Sequence, residues 1–249
     1  MSAHSSVAIS STLVLGHKNV WAFGDRYTGK SSAPFAAHYD GRRWTATAIP
    51  HTGAVSVTAA SAVAPGDLWA TVGTGGGQTL FPAEPSGTHL VHWDGHRWHL
   101  VRLPFPLRRH GDTASVLAVS DHDVWVGGGS GEVWLGETLA HWDGSRWQVL
   151  RRSVASPVPG NCVLGGLARR TTGLVALGEC FPQDERGGLL SRLWRVADSQ
   201  WAGPVGLRVG AKPVILGQMS GTPDGHLIWA VGWAGNSGVI ARYGPRNGS

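Results

Sequence analysis

Three times the chain writes the same phrase: HYDGRRW at 38–44, HWDGHRW at 92–98 and HWDGSRW at 141–147. A histidine and an aspartate two residues apart are the side chains of metal ligation and of general acid–base pairs. If folding gathered His38, His92 and His141 with Asp40, Asp94 and Asp143, the result would be a metal or catalytic centre. The same phrase also arises when one structural unit is repeated. The elements that carry it decide between the two.

Other chemistry is sparse. Glycoside cleavage needs two carboxylates about 5 to 9.5 Å apart. Glu132, Glu137, Glu179, Asp184 and Glu185 fall in predicted loops or outer strands, and nothing marks a pair among them. There is no G-x-S-x-G elbow, H-E-x-x-H motif or phosphate loop. No catalytic residue, metal or cofactor is therefore assigned. Two cysteines alone do not make a structural zinc site, which wants four ligands. The segments CVLGGLA (162–168) and GLVALGEC (173–180) read as a hairpin around RRTT, with Leu167–Ala168 facing Gly173–Leu174. That register puts Cys162 and Cys180 opposite each other or one residue apart. Opposed cysteines at a non-hydrogen-bonded pair come within disulfide reach; two reduced, buried thiols are the other reading.

The composition, 42% hydrophobic and 15% charged over 249 residues, suits a folded chain with a substantial core. The net charge of +5 is almost all arginine, scattered in pairs (42–43, 108–109, 151–152, 169–170), so no basic stripe forms and nucleic acid is not an expected partner. No run approaches the roughly 18 apolar residues of a spanning helix. The start, MSAHSSVAISSTLVLGHKN, lacks a basic n-region and a small-x-small cleavage site, which points to the cytoplasm. A Cys162–Cys180 disulfide in a chain that had lost a leader would point instead to an oxidising, extracellular compartment.

The positioning elements come from a second phrase. NVWAFG (19–24), DLWATVG (67–73), DVWVGG (123–128), GLVALG (173–178) and LIWAVG (227–232) place markers at Trp21, Trp69, Trp125, Val175 and Trp229, spaced by 48, 56, 50 and 54 residues. Before each marker lies a small, β-branched segment and a turn; after it comes a loop of variable length, then the His-aromatic strand, Asp-Gly and a closing tryptophan. Four antiparallel strands in about 50 residues, repeated, predict a β-propeller. The expected architecture is all-β and a single domain, 1–249, with blades near 5–50, 51–106, 107–153, 154–207 and 208–249. The last blade is incomplete: IARYGPRNGS aligns with LAHWDGSRW only as far as the turn. Taken as a two-residue turn, Asp143-Gly144 pairs Trp142 with Ser145, His141 with Arg146 and Ala140 with Trp147. Equivalent residues of successive blades are held apart by rotation about the propeller axis. The repeated positions Trp21, His38, Trp44, Trp69, His92, Trp98, Trp125, His141 and Trp147 are accordingly read as structural.

DVWVGG followed by LAHWDGSRW resembles the repeats of bacterial β-propeller proteins that carry D-V-W-A-V-G and H-W-D-G-x-x-W. The hairpin is also similar to Asp-box and Kelch-type propellers, although the Asp-box spacing S-x-D-x-G-x-T-W is not matched. The resemblance covers nearly the whole chain. It implies fold and leaves function open, because such propellers serve as enzymes, lectins and scaffolds.

Function is expected on the second-to-third and fourth-to-first loops, which share one end of each blade and vary between blades. The candidates there are Arg26, Tyr27, Lys30, Phe81, Glu84, Arg108, Arg109, Trp134, Arg151, Asp184, Trp233 and Asn236. That end is mildly basic with scattered aromatics, which suits an anionic or sugar-like ligand. The leading expectation is a non-enzymatic binding or interaction scaffold for a protein or small ligand. A carbohydrate-binding lectin and a glycoside-hydrolase-like enzyme are the alternatives. Only Trp134 and Trp233 of the tryptophans fall outside the repeated strand positions.

Overall fold

In a computed structural model of the chain, the residues described are 5–50, 52–73, 89–104, 113–129, 137–151, 161–181, 190–206, 208–210 and 212–244. They form antiparallel sheets in which sequence neighbours are sheet neighbours. The first blade holds β1 (Ser6–Gly16), β2 (Asn19–Tyr27), β3 (Ser32–Tyr39) and β4 (Trp44–Thr47). The second holds β5 (Ser56–Ala64), β6 (Asp67–Gly73), β7 (His89–Trp93) and β8 (Trp98–Val101). The third holds β9 (Thr113–Ser120), β10 (Asp123–Gly129), β11 (Glu137–Trp142) and β12 (Trp147–Arg151). The fourth holds β13 (Asn161–Arg169), β14 (Leu174–Phe181), β15 (Leu190–Ala197) and β16 (Gln200–Gly206). A short ladder of β17 (Arg208–Val209) and β18 (Lys212–Pro213) precedes the fifth: β19 (Ile215–Gly221), β20 (Ile228–Ala234) and β21 (Ser237–Tyr243). The fold is an all-β propeller of five blades, the last of three strands.

The repeated glycine three residues after the marker has a specific cause. The first strand of four blades carries a one-residue bulge, at Ser10, Thr58, Gly165 and Gly217. The residue opposite the start of that bulge is Gly24, Val72, Gly178 or Gly232. A β-carbon at Gly24 would lie 1.8 Å from the Ala8 carbonyl oxygen, and one at Gly232 1.9 Å from that of Ile215. At Gly178 the obstacle is the Trp194 ring, 2.4 Å away. In blades one, four and five the close approach at this position leaves room only for a hydrogen, whereas blade two accommodates Val72 there.

The closing hairpin differs from the sequence expectation. Tyr39 pairs with Trp44, His38 with Thr45, Trp93 with Trp98 and His92 with His99. The turn is centred on Gly41-Arg42 rather than Asp40-Gly41, and it recurs with Asp94 and Asp143. In each copy the aspartate N–H donates to the carbonyl three residues on. Its Oδ1 accepts the N–H groups of the second and third residues, at 2.8 and 2.9 Å for Arg42 and Arg43. The same bonds measure 2.8 Å to both His96 and Arg97, and 2.9 Å to both Ser145 and Arg146. This is an Asx turn: the side chain satisfies the backbone locally, and only the glycine takes positive φ, near +90°. A two-residue type I′ turn would have needed it at the aspartate as well.

The chain divides into two compact units, Met1–Val126 with Ala140–Gln148, and Gly127–Leu139 with Val149–Ser249. In the first, Trp21, Phe23, Val57, Leu68, Val91 and Trp98 form one buried cluster. A second joins Trp69, Leu90, Val116, Val124, Val126 and Ala140, with Trp142 and Trp147 packed against it. Polar stitches cross the blades: Ser10 Oγ donates to Val57 O at 2.6 Å and Trp98 Nε1 to Thr47 Oγ1 at 3.0 Å. In the second unit Leu177, Val214, Leu216 and Ala230 cluster, and the Leu216 N–H donates to Ser191 Oγ at 2.7 Å.

Candidate functional site

The three histidines of the repeated phrase each bond within their own blade. His92 Nε2 lies 2.8 Å from Asp67 Oδ1, which also accepts the Trp69 indole N–H at 2.9 Å. His141 Nε2 lies 3.0 Å from Asp123 Oδ1, which accepts Trp125 Nε1 at 2.6 Å. In the first blade Asn19 Oδ1 meets His38 Nε2 at 3.0 Å. Each imidazole stacks on its marker tryptophan, with centroids 4.7, 4.2 and 4.0 Å apart for His38, His92 and His141. The D-x-W phrase and the H-W-D-G phrase are therefore two halves of one stacked, hydrogen-bonded unit, formed by the cross-strand pairs Trp21–His38 and Trp69–His92. In blades four and five the corresponding pairs are Val175–Arg195 and Trp229–Arg242, and the unit is absent. Among the described residues no group of three or more His, Cys, Asp or Glu side chains is placed to hold a metal ion.

Where the second and third blades meet, a cleft of about 350 Å³ opens at the end bearing the short first-to-second and third-to-fourth turns. Blade two contributes Asp67, Trp69, His92 and Val101; blade three contributes Asp121, His122, Trp142 and Gly144. Trp142 is fixed by its indole N–H, which donates to Asp121 O at 3.2 Å, and by Trp147, 5.6 Å away. His122 and Asp121 approach to 3.4 Å and are mostly solvent-exposed. Gly144 has to be glycine, with φ +90° and a β-carbon position 2.3 Å from His122 Nδ1. The lining thus pairs aromatic surface with carboxylates and imidazoles whose positions are set by backbone turns. Sequence reasoning passed over Asp121, His122 and Trp142 as repeat positions. The signal that could have found them is variation inside the recurring turn: three residues before each marker stand Lys18, Gly66, His122, Thr172 and His226.

Cys162 and Cys180 are direct partners of the β13–β14 ladder and are joined by a disulfide, with Cα atoms 4.0 Å apart. Near the turn the register runs one residue off, Ala168 with Val175, and the bulge at Gly165 shifts it so that the two cysteines meet. Beside Cys180, burial pushes the Glu179 carboxyl above its ordinary range.

Those sequence-predicted loop residues that the structure describes are not among the residues lining this cleft. Arg26 and Tyr27 belong to β2, with the Arg26 guanidinium 5.1 Å from the centre of the Phe35 ring; the loop proper is 28–31, where Lys30 is exposed. Trp233 is likewise a strand residue, 42% exposed, and the fifth blade's loop shrinks to the two-residue turn Gly235-Asn236. Arg151 ends β12. Phe81, Glu84, Arg108, Arg109, Trp134 and Asp184 lie outside the described residues.

The sequence matches no protein-family model and no curated protein. Solved structures do match. Aleuria aurantia lectin in complex with Fucα1-6GlcNAc is 14% identical, with 95% of this chain and 77% of that one covered and a TM-score of 0.53. Another structure of the same fungal lectin, described as a six-bladed β-propeller with a novel fucose recognition mode, is 15% identical over 96% and 73%, with a TM-score of 0.50. A third belongs to work on the GH130 family of mannoside phosphorylases, which contains glycoside hydrolases that target β-1,2 mannosidic linkages in Candida mannan. It is 12% identical over 93% and 82%, with a TM-score of 0.52. At these identities the likeness establishes the propeller fold and nothing finer. Among the described residues no helix is long and apolar enough to cross a membrane.

Proposed function

We propose that this chain is a non-catalytic binding propeller and that it takes a neutral carbohydrate in the cleft between blades two and three. The observation that carries the reading is the lining: indole surface from Trp142 beside the exposed Asp121 and His122. An indole face packs against the C–H face of a sugar ring, while a carboxylate and an imidazole supply acceptor and donor to neighbouring hydroxyls. The volume lies at the small end of ligand pockets, about 300–1,000 Å³, and suits one or two sugar rings. Cleavage is disfavoured because one of the two lining carboxylates, Asp67, already has its Oδ1 accepting both the Trp69 indole and the His92 imidazole. A retaining or inverting pair needs both carboxylates available. A scaffold acting through the second-to-third loops is the competing reading.

The test is calorimetric titration with a panel of neutral mono- and disaccharides, fucose and mannose included, at low and high salt. Binding should be saturable and insensitive to salt, and should weaken about tenfold, the equivalent of about 1.4 kcal/mol, in both Trp142→Ala and His122→Ala. Neutral-sugar binding that survives both substitutions, or its absence across the panel, would remove the carbohydrate reading.

A further inference from the structure

The cleft between blades two and three has a counterpart in the second unit. Where blades four and five meet, a cleft of about 390 Å³ is lined by Arg170, Thr171, Gly225, His226, Arg242, Tyr243 and Gly244. The correspondence is positional. His226, like His122, stands three residues before its blade's marker, and Tyr243, like Trp142, is the aromatic at the end of the third strand. The charge is reversed. Among the described residues, the lining of the first cleft includes two carboxylates and no arginine, and that of the second two arginines and no carboxylate.

From this reversal we infer that the cleft between blades four and five is a separate site for a tetrahedral oxyanion, a phosphate or sulfate group. The geometry is built from backbone contacts. Gly225 takes φ +73°, and a β-carbon there would lie 2.4 Å from the Arg170 carbonyl carbon, so the turns of the two blades touch. That contact sets Arg170 beside His226. The Arg170 guanidinium lies over the Tyr243 ring, 5.0 Å from its centre, and both side chains line the cleft. The nearest carboxylate on the turn, Asp224, is occupied: its Oδ1 accepts the Thr222 hydroxyl and the His226 N–H. Two arginine side chains in one small concavity supply positive charge and planar donors of the kind that recognise a phosphate or sulfate. The site does not depend on the carbohydrate reading of the other cleft.

The experiment titrates inorganic phosphate, and separately inorganic sulfate, into the intact chain at low ionic strength, with sodium chloride as the control for unspecific screening. A Kd of about 1–5 mM is expected for either anion, weakened about fivefold by Arg170→Gln and by Arg242→Gln. His122→Ala, in the other cleft, should leave it unchanged. Both arginines are at the surface, so unchanged melting of the variants verifies folding. An independent readout is the His226 imidazole resonance, which should shift saturably with phosphate and not with chloride. Anion binding indifferent to both arginine substitutions, or no saturable response below about 50 mM, overturns the inference. Loss of neutral-sugar binding in Trp142→Ala bears only on the other cleft, so the two proposals fail separately.

Discussion

Blade one contains a natural defect that blades two and three show how to repair. In blades two and three one aspartate oxygen accepts both the marker indole and the stacked imidazole. Blade one has Asn19 there: its Oδ1 serves His38, while the indole N–H of Trp21, a residue only 2% exposed, is buried with no hydrogen-bond partner among the described residues. A buried unsatisfied donor costs about 1–3 kcal/mol, and a hydrogen bond to a charged acceptor returns about 1.5–3. Desolvating the carboxylate takes part of this back, less so because Asp67 and Asp123 keep 23% and 41% side-chain exposure at the equivalent place. The net expectation for Asn19→Asp is a stabilisation of about 1–2 kcal/mol, or roughly 2–8 °C in Tm for a chain of this size. Asp67→Asn should lose a similar amount. Thermal melting followed by tryptophan fluorescence and urea titration of the first unit's signal provide the numbers. If Asn19→Asp is neutral or destabilising while Asp67→Asn is harmless, the shared-acceptor account of the repeat is wrong.

Three further outcomes follow from the same geometry. The turn carboxylates of Asp94 and Asp143 are held below the ordinary range, Asp94 mainly by His99 and then by the Arg97 and His96 N–H groups, Asp143 mainly by the Ser145 hydroxyl and then by the Arg146 N–H. A folded pKa below the unfolded value, about 3.9, means stability that is complete above that pH and lost as pH falls through the folded value. Asp94→Asn with Asp143→Asn should therefore lower Tm at pH 7, and its gap to the parent should narrow below about pH 4. Glu179 has the opposite sign: its carboxyl is pushed up by burial, so its contribution is favourable below the unfolded pKa and is lost as pH rises through the folded one. Glu179→Gln should raise Tm at pH 8 and leave it little changed at pH 4; equal shifts at both would contradict this. Reducing Cys162–Cys180, which closes a loop with a sequence separation of 18, should cost about 3 kcal/mol. A Tm unchanged by reductant would show that the cross-link contributes nothing.

The repeat was readable because its residues are dictated by backbone needs that recur. The marker tryptophan, the glycine beneath the bulge and the Asp-Gly turn each answer one local demand, so periodicity carried the blade count and the strand order. What periodicity could not carry was register at the level of one residue. The Asx bonds of Asp40, Asp94 and Asp143 move the hairpin centre by one position, because an aspartate side chain that caps two N–H groups replaces the positive φ a two-residue turn would require. The bulge at Gly165, silent in sequence, decides whether Cys162 faces Cys180 or Phe181. The site was the least legible part. Variable loops drew attention to one end of the blades, whereas both described clefts form at the other end, from single departures such as His122 and His226 inside turns that otherwise repeat.

The most direct test of the binding account follows the indole N–H resonances of the tryptophans by nitrogen-15 NMR, with the Trp142 signal assigned through Trp142→Phe, during titration with the tightest neutral sugar of the panel. Trp142 should shift saturably because its N–H is held against Asp121 at the cleft, while Trp44 and Trp229, exposed elsewhere, stay in place. A saturable shift at Trp229 or Trp233 with Trp142 unmoved would put the ligand on another surface and contradict the account.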